Sequence, residues 1–209
     1  MNRKRITIAA LALFLTGGFL FGGFPQAADA KAATVNEQTS PFWDDKMDKD
    51  LKKILSRQSP TLLGIYLTTM FTSTDERIHN VKKAVKKING IELGPNETFS
   101  YNATVGNSNL AEDGWEQAGA YVGGKLVEDY GGGICQVSST LYNAAEEAGM
   151  VMVERHSHSK VVPYVPQGKD ATVAYGVLDF KFTNPYDYPV KIKAKVYDDA
   201  YVLVRIVKA

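Results

Sequence analysis

The chain has 209 residues, of which 44% are hydrophobic and 22% charged, and a formal net charge of +1. This composition predicts one globular domain with extensions, and it excludes collagen-like, wholly disordered and polytopic membrane proteins. The near-neutral charge argues against electrostatic binding of nucleic acid, and a single cysteine, Cys135, excludes both an internal disulfide and a multi-cysteine metal site.

The N-terminus carries the pattern of an export signal. Basic residues at positions 3–5 precede an apolar run over residues 6–24, and Ala28-Asp29-Ala30 matches a signal-peptidase site. This pattern predicts a signal peptide over residues 1–30, with an uncleaved membrane anchor as the alternative. We therefore expect a secreted, extracytoplasmic protein that contacts the membrane only through this segment.

Residues 31–60 are predicted to form a polar spacer followed by a short amphipathic helix. The apolar residues of that helix recur at helical spacing, which predicts that it docks on the main domain or on a partner. They are Trp43, Met47, Leu51, Ile54 and Leu55.

The remaining residues, 61–209, are predicted to form an α+β domain with helices packed on a mainly antiparallel sheet. An apolar strand over residues 61–72 is followed by a helix that starts at the capping box Ser73-Thr74-Asp75-Glu76 and stops at Asn89-Gly90. The later elements are a helix over 133–148, a strand that enters a loop over 150–158, a strand over 171–182, and a hairpin formed by 190–196 and 201–207.

Cys135 lies in the first turn of the second main helix, directly after three glycines. The unpaired amides and the dipole at a helix N-terminus stabilise a thiolate and lower the pKa of the thiol. Glycines let a substrate backbone approach and leave amides for an oxyanion. The candidate residues for oxyanion or substrate binding here are Gly132, Gly133, Gln136 and Ser138.

A nucleophilic cysteine needs a base, and His156 and His158 follow it in the chain. A cysteine at a helix N-terminus and a histidine on a following strand would have the order and geometry of papain-like enzymes. Either histidine can be the base at this stage, and either Asp170 or Asp179 can orient it.

Two other interpretations of these residues stay open. The histidines can be polar strand residues and Cys135 a small buried hydrophobe. Alternatively, Cys135, His156 and His158 can bind zinc, with Asp170 or water as the fourth ligand, although this spacing is a weak zinc pattern. We favour the Cys–His site, with no metal and no cofactor.

Three long motifs resemble the VanW family, and the resemblance covers about residues 62–197. They are Gly131-Gly132-Gly133-Ile134-Cys135-Gln136-Val137-Ser138-Ser139-Thr140-Leu141, Glu154-Arg155-His156-Ser157-His158-Ser159, and Tyr164-Val165-Pro166-Gln167-Gly168-Lys169-Asp170-Ala171-Thr172-Val173. Arg155 and Tyr164 within them are further candidates for substrate binding.

The resemblance implies a function in the cell wall of Gram-positive bacteria. The family takes its name from an accessory protein of vancomycin-resistance clusters, and members with the cysteine motif are implicated as peptidoglycan L,D-transpeptidases. We therefore expect a monomer that acts on peptidoglycan stem peptides through a thioester on Cys135. A non-catalytic peptidoglycan-binding or accessory protein is the alternative.

Overall fold

The computed structural model describes residues 48–56, 59–122 and 124–209. The predicted signal peptide, the polar spacer, Trp43 and Met47 lie outside these ranges. Within them, no helix combines the length and the apolar character needed to cross a membrane.

The helices and strands alternate along the chain. They are α1 (Lys49–Ser56), β1 (Leu62–Thr69), α2 (Asp75–Ile88), β2 (Glu92–Leu93), β3 (Thr98–Ser100), α3 (Tyr101–Val105), a 3-10 turn (Ala111–Asp113), β4 (Gln117–Val122), β5 (Lys125–Tyr130), α4 (Ile134–Glu147), β6 (Val151–Glu154), β7 (Lys181–Thr183), β8 (Val190–Tyr197) and β9 (Tyr201–Lys208). The predicted α+β fold is confirmed.

The strands of the described residues form three antiparallel sheets. The largest has the order β1-β9-β8-β2, a second has the order β3-β7-β6, and β4 pairs with β5 as a hairpin. The predicted hairpin of β8 and β9 is present, and its turn places Asp198 and Asp199 at φ values of 51° and 52°. Aspartate tolerates this left-handed conformation better than most residues.

The core lies between the largest sheet and two helices, because α4 packs on β1 and β9 while α2 packs on β8 and α4. The face of α4 that meets the sheet is buried from Val137 to Ala148. Gly64 in β1 permits this close packing: a Cβ there would lie 2.2 Å from the carbonyl oxygen of Ala144. The position of α4 against the sheet is therefore fixed by backbone contact.

Some sequence-based boundaries differ from the structure. Thr74, one residue after the predicted start, caps α2 by accepting a hydrogen bond from the amide of Arg77. The strand predicted to enter a loop within 150–158 ends at Glu154, so the expectation that the histidine lies on a strand is wrong. Of the strand predicted over 171–182, only the last two residues join β7, because the preceding segment packs on α4 through side-chain hydrogen bonds.

The short helix α1 docks on the outer face of the largest sheet. Leu51 and Leu55 are buried there and pack with a second apolar cluster that includes Ile65 and Leu203. The part of the predicted amphipathic helix that the structure describes thus packs on the main domain.

Candidate active site

The start of α4 is held against β4 by glycine. Gly133 caps the helix with φ +108°, a conformation that favours glycine, and a Cβ at Gly132 would lie 2.3 Å from the carbonyl oxygen of Ala118. Cys135 is the second residue of the helix and is half-buried. Its position at a helix N-terminus agrees with the sequence-based expectation.

Two serines of α4 fix the segment that faces Cys135. Ser138 Oγ donates to the carbonyl oxygen of Ala171 at 2.6 Å, and the amide of Ala171 donates to Ser139 Oγ at 2.9 Å. The next residue, Thr172, then has its Oγ1 3.7 Å from the Cys135 Sγ. Ser138 is fully buried, so we assign it to positioning this segment instead of the substrate binding predicted for it.

His158 lies in the loop after β6 and links Cys135 to Asp170. Its side chain interacts electrostatically with Cys135, and its Nδ1 lies 2.7 Å from Asp170 Oδ2. The backbone amide of His158 donates to the same carboxylate oxygen at 2.5 Å, and its Nε2 is 3.5 Å from the hydroxyl of Tyr164. With 6% of its side chain exposed, the imidazole has little freedom to turn away from the thiol.

Asp170 is itself held in place by Arg155. The Nε of Arg155 donates to the carbonyl oxygen of Asp170 at 2.7 Å, and its guanidinium also contacts the carboxylate at 3.3 Å and the carbonyl oxygen of Gly168 at 2.8 Å. The guanidinium stacks on the ring of Tyr142, 4.9 Å from the ring centroid. Arg155, predicted to bind substrate, is therefore a positioning residue for the carboxylate.

These contacts favour a thiolate paired with an imidazolium. Burial raises the pKa of the Cys135 thiol, but hydrogen bonds and the charge of His158 outweigh burial, so the pKa lies below its usual value. Burial lowers the pKa of His158, while Cys135 and Asp170 raise it by more. For Asp170, burial raises the pKa and the hydrogen bonds from His158 lower it to below its usual value.

The structure does not bring His156 to Cys135. Its Nε2 lies 3.0 Å from Glu154 Oε1, in a half-exposed cluster where Lys181 also contacts Glu154 at 2.8 Å. Lys181 and His156 hold the pKa of Glu154 at about 2, so this carboxylate is ionised at neutral pH. Of the two predicted aspartates, Asp179 accepts hydrogen bonds from Ser100 and from backbone amides.

The predicted oxyanion site narrows to two amides. Two of the candidate amides already have partners within the protein. The amide of Gln136 donates to the carbonyl oxygen of Gly133, and the amide of Gly132 donates to the carbonyl oxygen of Asp129. The side chain of Gln136 is 1% exposed and ties α4 to the end of β1 through Thr68 and Thr69. Among the described residues, no acceptor faces the amides of Gly133 and Cys135, which remain the candidates for oxyanion binding.

A cleft of about 750 Å³ opens beside Cys135. Its walls come from the β4–β5 hairpin, the chain after β1, the N-terminus of α4 and the loops that carry Tyr164 and Thr172. The sequence reasoning missed Arg77 and Thr172 in this lining. In the sequence, Arg77 looks like an ordinary polar residue in the first turn of a helix. Thr172 lies within the third VanW-like motif, and this was its only signal in the sequence.

The zinc interpretation of Cys135, His156 and His158 has no matching cluster of ligands in the described ranges. No group of three or more histidine, cysteine, aspartate and glutamate side chains there has a geometry that could hold a metal ion. Of the proposed ligands, His156 is turned to Glu154 and the Nδ1 of His158 to Asp170.

The contact between Asp170 and His158 leads to a pH-dependent prediction. Asp170→Asn removes the charge that raises the pKa of His158, so the imidazolium is less populated and the pKa of the Cys135 thiol rises. The midpoint of iodoacetamide alkylation against pH is expected to move upward by about one pH unit. Asp179→Asn is the matched control, since Asp179 is similarly buried but contacts neither residue; an equal shift in both variants would contradict this assignment.

Comparison with known proteins places the chain in a family. Residues 76–207 match the family described as VanW like protein. The chain belongs to the VanW family. The match includes every residue of the Cys135–His158–Asp170 arrangement, and it confirms the family resemblance noted in the sequence.

Two curated relatives of this VanW-family chain come from Gram-positive bacteria. The protein named "Uncharacterized protein YoaR" from Bacillus subtilis is 44% identical over 158 residues, which are 76% of this chain and 51% of the relative. "Vancomycin B-type resistance protein VanW" from Enterococcus faecalis is 28% identical over 219 residues, 97% of this chain and 73% of the relative. The chain thus spans about half of the first relative's length. No solved structure matches it significantly.

Proposed function

We propose that this VanW-family protein is an exported cysteine acyltransferase that cross-links peptidoglycan stem peptides as an L,D-transpeptidase. The observation that carries the proposal is the chain of contacts Cys135–His158–Asp170 at the edge of a cleft large enough for a peptide. A merely structural cysteine needs neither a pKa below the usual value nor a histidine oriented by a buried carboxylate.

In the first half of the reaction, the Cys135 thiolate attacks the carbonyl carbon of an L-centre in the donor stem peptide. The amides of Gly133 and Cys135 stabilise the oxyanion that forms. His158, as the imidazolium, gives its proton to the leaving amine as the C–N bond breaks. A terminal D-amino acid departs, and the donor remains on Cys135 as a thioester.

In the second half, a side-chain amine of a neighbouring stem peptide attacks the thioester carbonyl. Neutral His158 accepts the proton of this amine, the C–S bond breaks, and Cys135 leaves as a thiolate beside the restored imidazolium. Asp170 keeps the Nδ1 of His158 protonated throughout, and Arg155 holds Asp170 in place. If water attacks instead of the amine, the same site hydrolyses the thioester.

The N-terminal sequence and the relatives support a setting in the cell wall. The signal peptide predicted over residues 1–30 would bring the protein to peptidoglycan outside the membrane, and the Enterococcus relative is named a vancomycin B-type resistance protein. Cross-links made at an L-centre bypass the step that uses D-Ala-D-Ala, which fits a link to glycopeptide resistance. We propose that the protein acts there as a monomer.

The experiment that tests this function uses the purified mature protein with defined muropeptides. Disaccharide tetrapeptides serve as donor and acceptor, and products are separated by mass. Cross-linked dimers with release of one terminal amino acid are expected. Binding of the muropeptides with neither dimers nor trimmed products would favour the non-catalytic wall-binding alternative.

A further inference from the structure

A half-buried arginine of α2 faces the same cleft. The side chain of Arg77 passes over the N-terminus of α4, since a Cβ added to Gly133 would lie 3.0 Å from its Cγ. Arg77 lines the cleft together with Cys135, and both the thiol and Tyr164 interact electrostatically with its guanidinium. A cation is thus built into the wall beside the nucleophile.

The hydrogen-bonding capacity of Arg77 is mostly unused within the protein. One guanidinium nitrogen donates to Ser73 Oγ at 2.9 Å, and no carboxylate among the described residues lies within ion-pair distance. None of its nitrogen atoms is both buried and unpaired, so the nitrogens that do not bond to Ser73 keep some exposure to solvent. Burial lowers the pKa of Arg77, which indicates that water only partly solvates the charge.

The other charged groups of the cleft do not neutralise Arg77. Cys135 and His158 shift each other's pKa toward the thiolate and the imidazolium, whose charges offset each other. The carboxylate of Asp129, also in the lining, accepts from the amide of Tyr130 and forms no ion pair with Arg77. An arginine presents a planar fork of N–H donors that fits a carboxylate in a bidentate manner. A partly desolvated arginine without an acid partner is therefore poised for an anion from outside.

We infer that Arg77 is the receptor for a carboxylate of the bound substrate, next to the carbonyl attacked by Cys135. This rests on the proposed function only in naming the carboxylate as that of a stem peptide. The site would then favour a donor whose leaving residue is C-terminal and carries a free carboxylate, and disfavour one in which that group is amidated.

The test compares two small alkylating reagents, iodoacetate and iodoacetamide. Both alkylate the Cys135 thiolate with loss of iodide, and they differ in that iodoacetate carries a carboxylate. Because both reagents consume the same thiolate, the ratio of their rates cancels any change in the thiol pKa. In Arg77→Gln the iodoacetate-to-iodoacetamide ratio is expected to fall about tenfold at low salt, and Arg77→Lys to retain most of it.

Lys82→Gln is the matched control, because Lys82 lies on the same helix and pairs with Asp199 outside the cleft. It makes the same change in net charge. An unchanged ratio in Arg77→Gln, or an equal fall in Lys82→Gln, would overturn the inference. Thermal unfolding of each variant verifies that the compared proteins are folded.

The ratio of the two alkylation rates is measured independently of acyl transfer. If the ratio falls in Arg77→Gln while the wild type forms no dimers, the carboxylate receptor stands and the proposed transpeptidase fails. If dimers form but the ratio does not move, the transpeptidase stands and the role of Arg77 is overturned.

Discussion

Cys135→Ala is expected to abolish the formation of muropeptide dimers without unfolding the protein. The thiolate is the only nucleophile that the protein supplies to the proposed reaction, and loss of such a nucleophile lowers kcat by roughly 10³-fold or more. Half-buried Cys135 contacts the apolar core only at its edge, so alanine leaves the packing largely intact. Initial rates of dimer formation, measured by mass spectrometry, give the comparison.

Cys135→Ser is a more conservative test of the same role than Cys135→Ala. It keeps nearly the same shape and a hydroxyl group, but a serine hydroxyl is far less acidic than a thiol and is not ionised beside His158. We expect it to fold like the wild type and to be as inactive as Cys135→Ala. Dimer formation at the wild-type rate by either variant would show that Cys135 is not the nucleophile.

His158→Gln is expected to lower kcat by about 10²- to 10⁴-fold, the usual contribution of a positioned acid–base group. The variant also loses two of the interactions that lower the pKa of the Cys135 thiol, its hydrogen bond to His158 and the charge of His158, so this pKa rises relative to the wild type. Raising the pH therefore restores alkylation of Cys135. It does not restore full turnover, because the leaving amine still lacks its proton donor.

His156→Gln provides the matched comparison, because it removes the other histidine of the same motif. Its side chain contacts Glu154 in a half-exposed cluster with Lys181. We therefore expect both kcat and the rate of Cys135 alkylation to change less than about threefold. Equal losses of kcat in the two variants would contradict the assignment of His158 as the acid–base group.

The sequence was most informative where a local pattern decides the structure. The helix over 133–148 and the hairpin of β8 and β9 were correctly predicted, and the glycines before Cys135 correctly marked a helix start. The nearby pair of histidines was also visible. These features depend on neighbouring residues, so a single sequence is enough to read them.

The choice between His156 and His158 as the partner of Cys135 could be made only from the folded structure. The chain next to Asp170 is placed by the hydrogen bonds that Ala171 makes with Ser138 and Ser139, which lie about 30 residues earlier. In this arrangement Asp170 contacts His158 and not His156. No spacing rule encodes such docking. Arg77 was missed for the same reason, since only the packing of α2 across α4 brings it to the cleft.

The most direct test of the account is the mass of the intact protein after rapid acid quench with a donor muropeptide. We predict an adduct equal to the donor minus its terminal amino acid, attached to Cys135, released by hydroxylamine and absent from Cys135→Ala. Dimer formation with no such adduct, or an adduct that persists in Cys135→Ala, would contradict a thioester mechanism at this site.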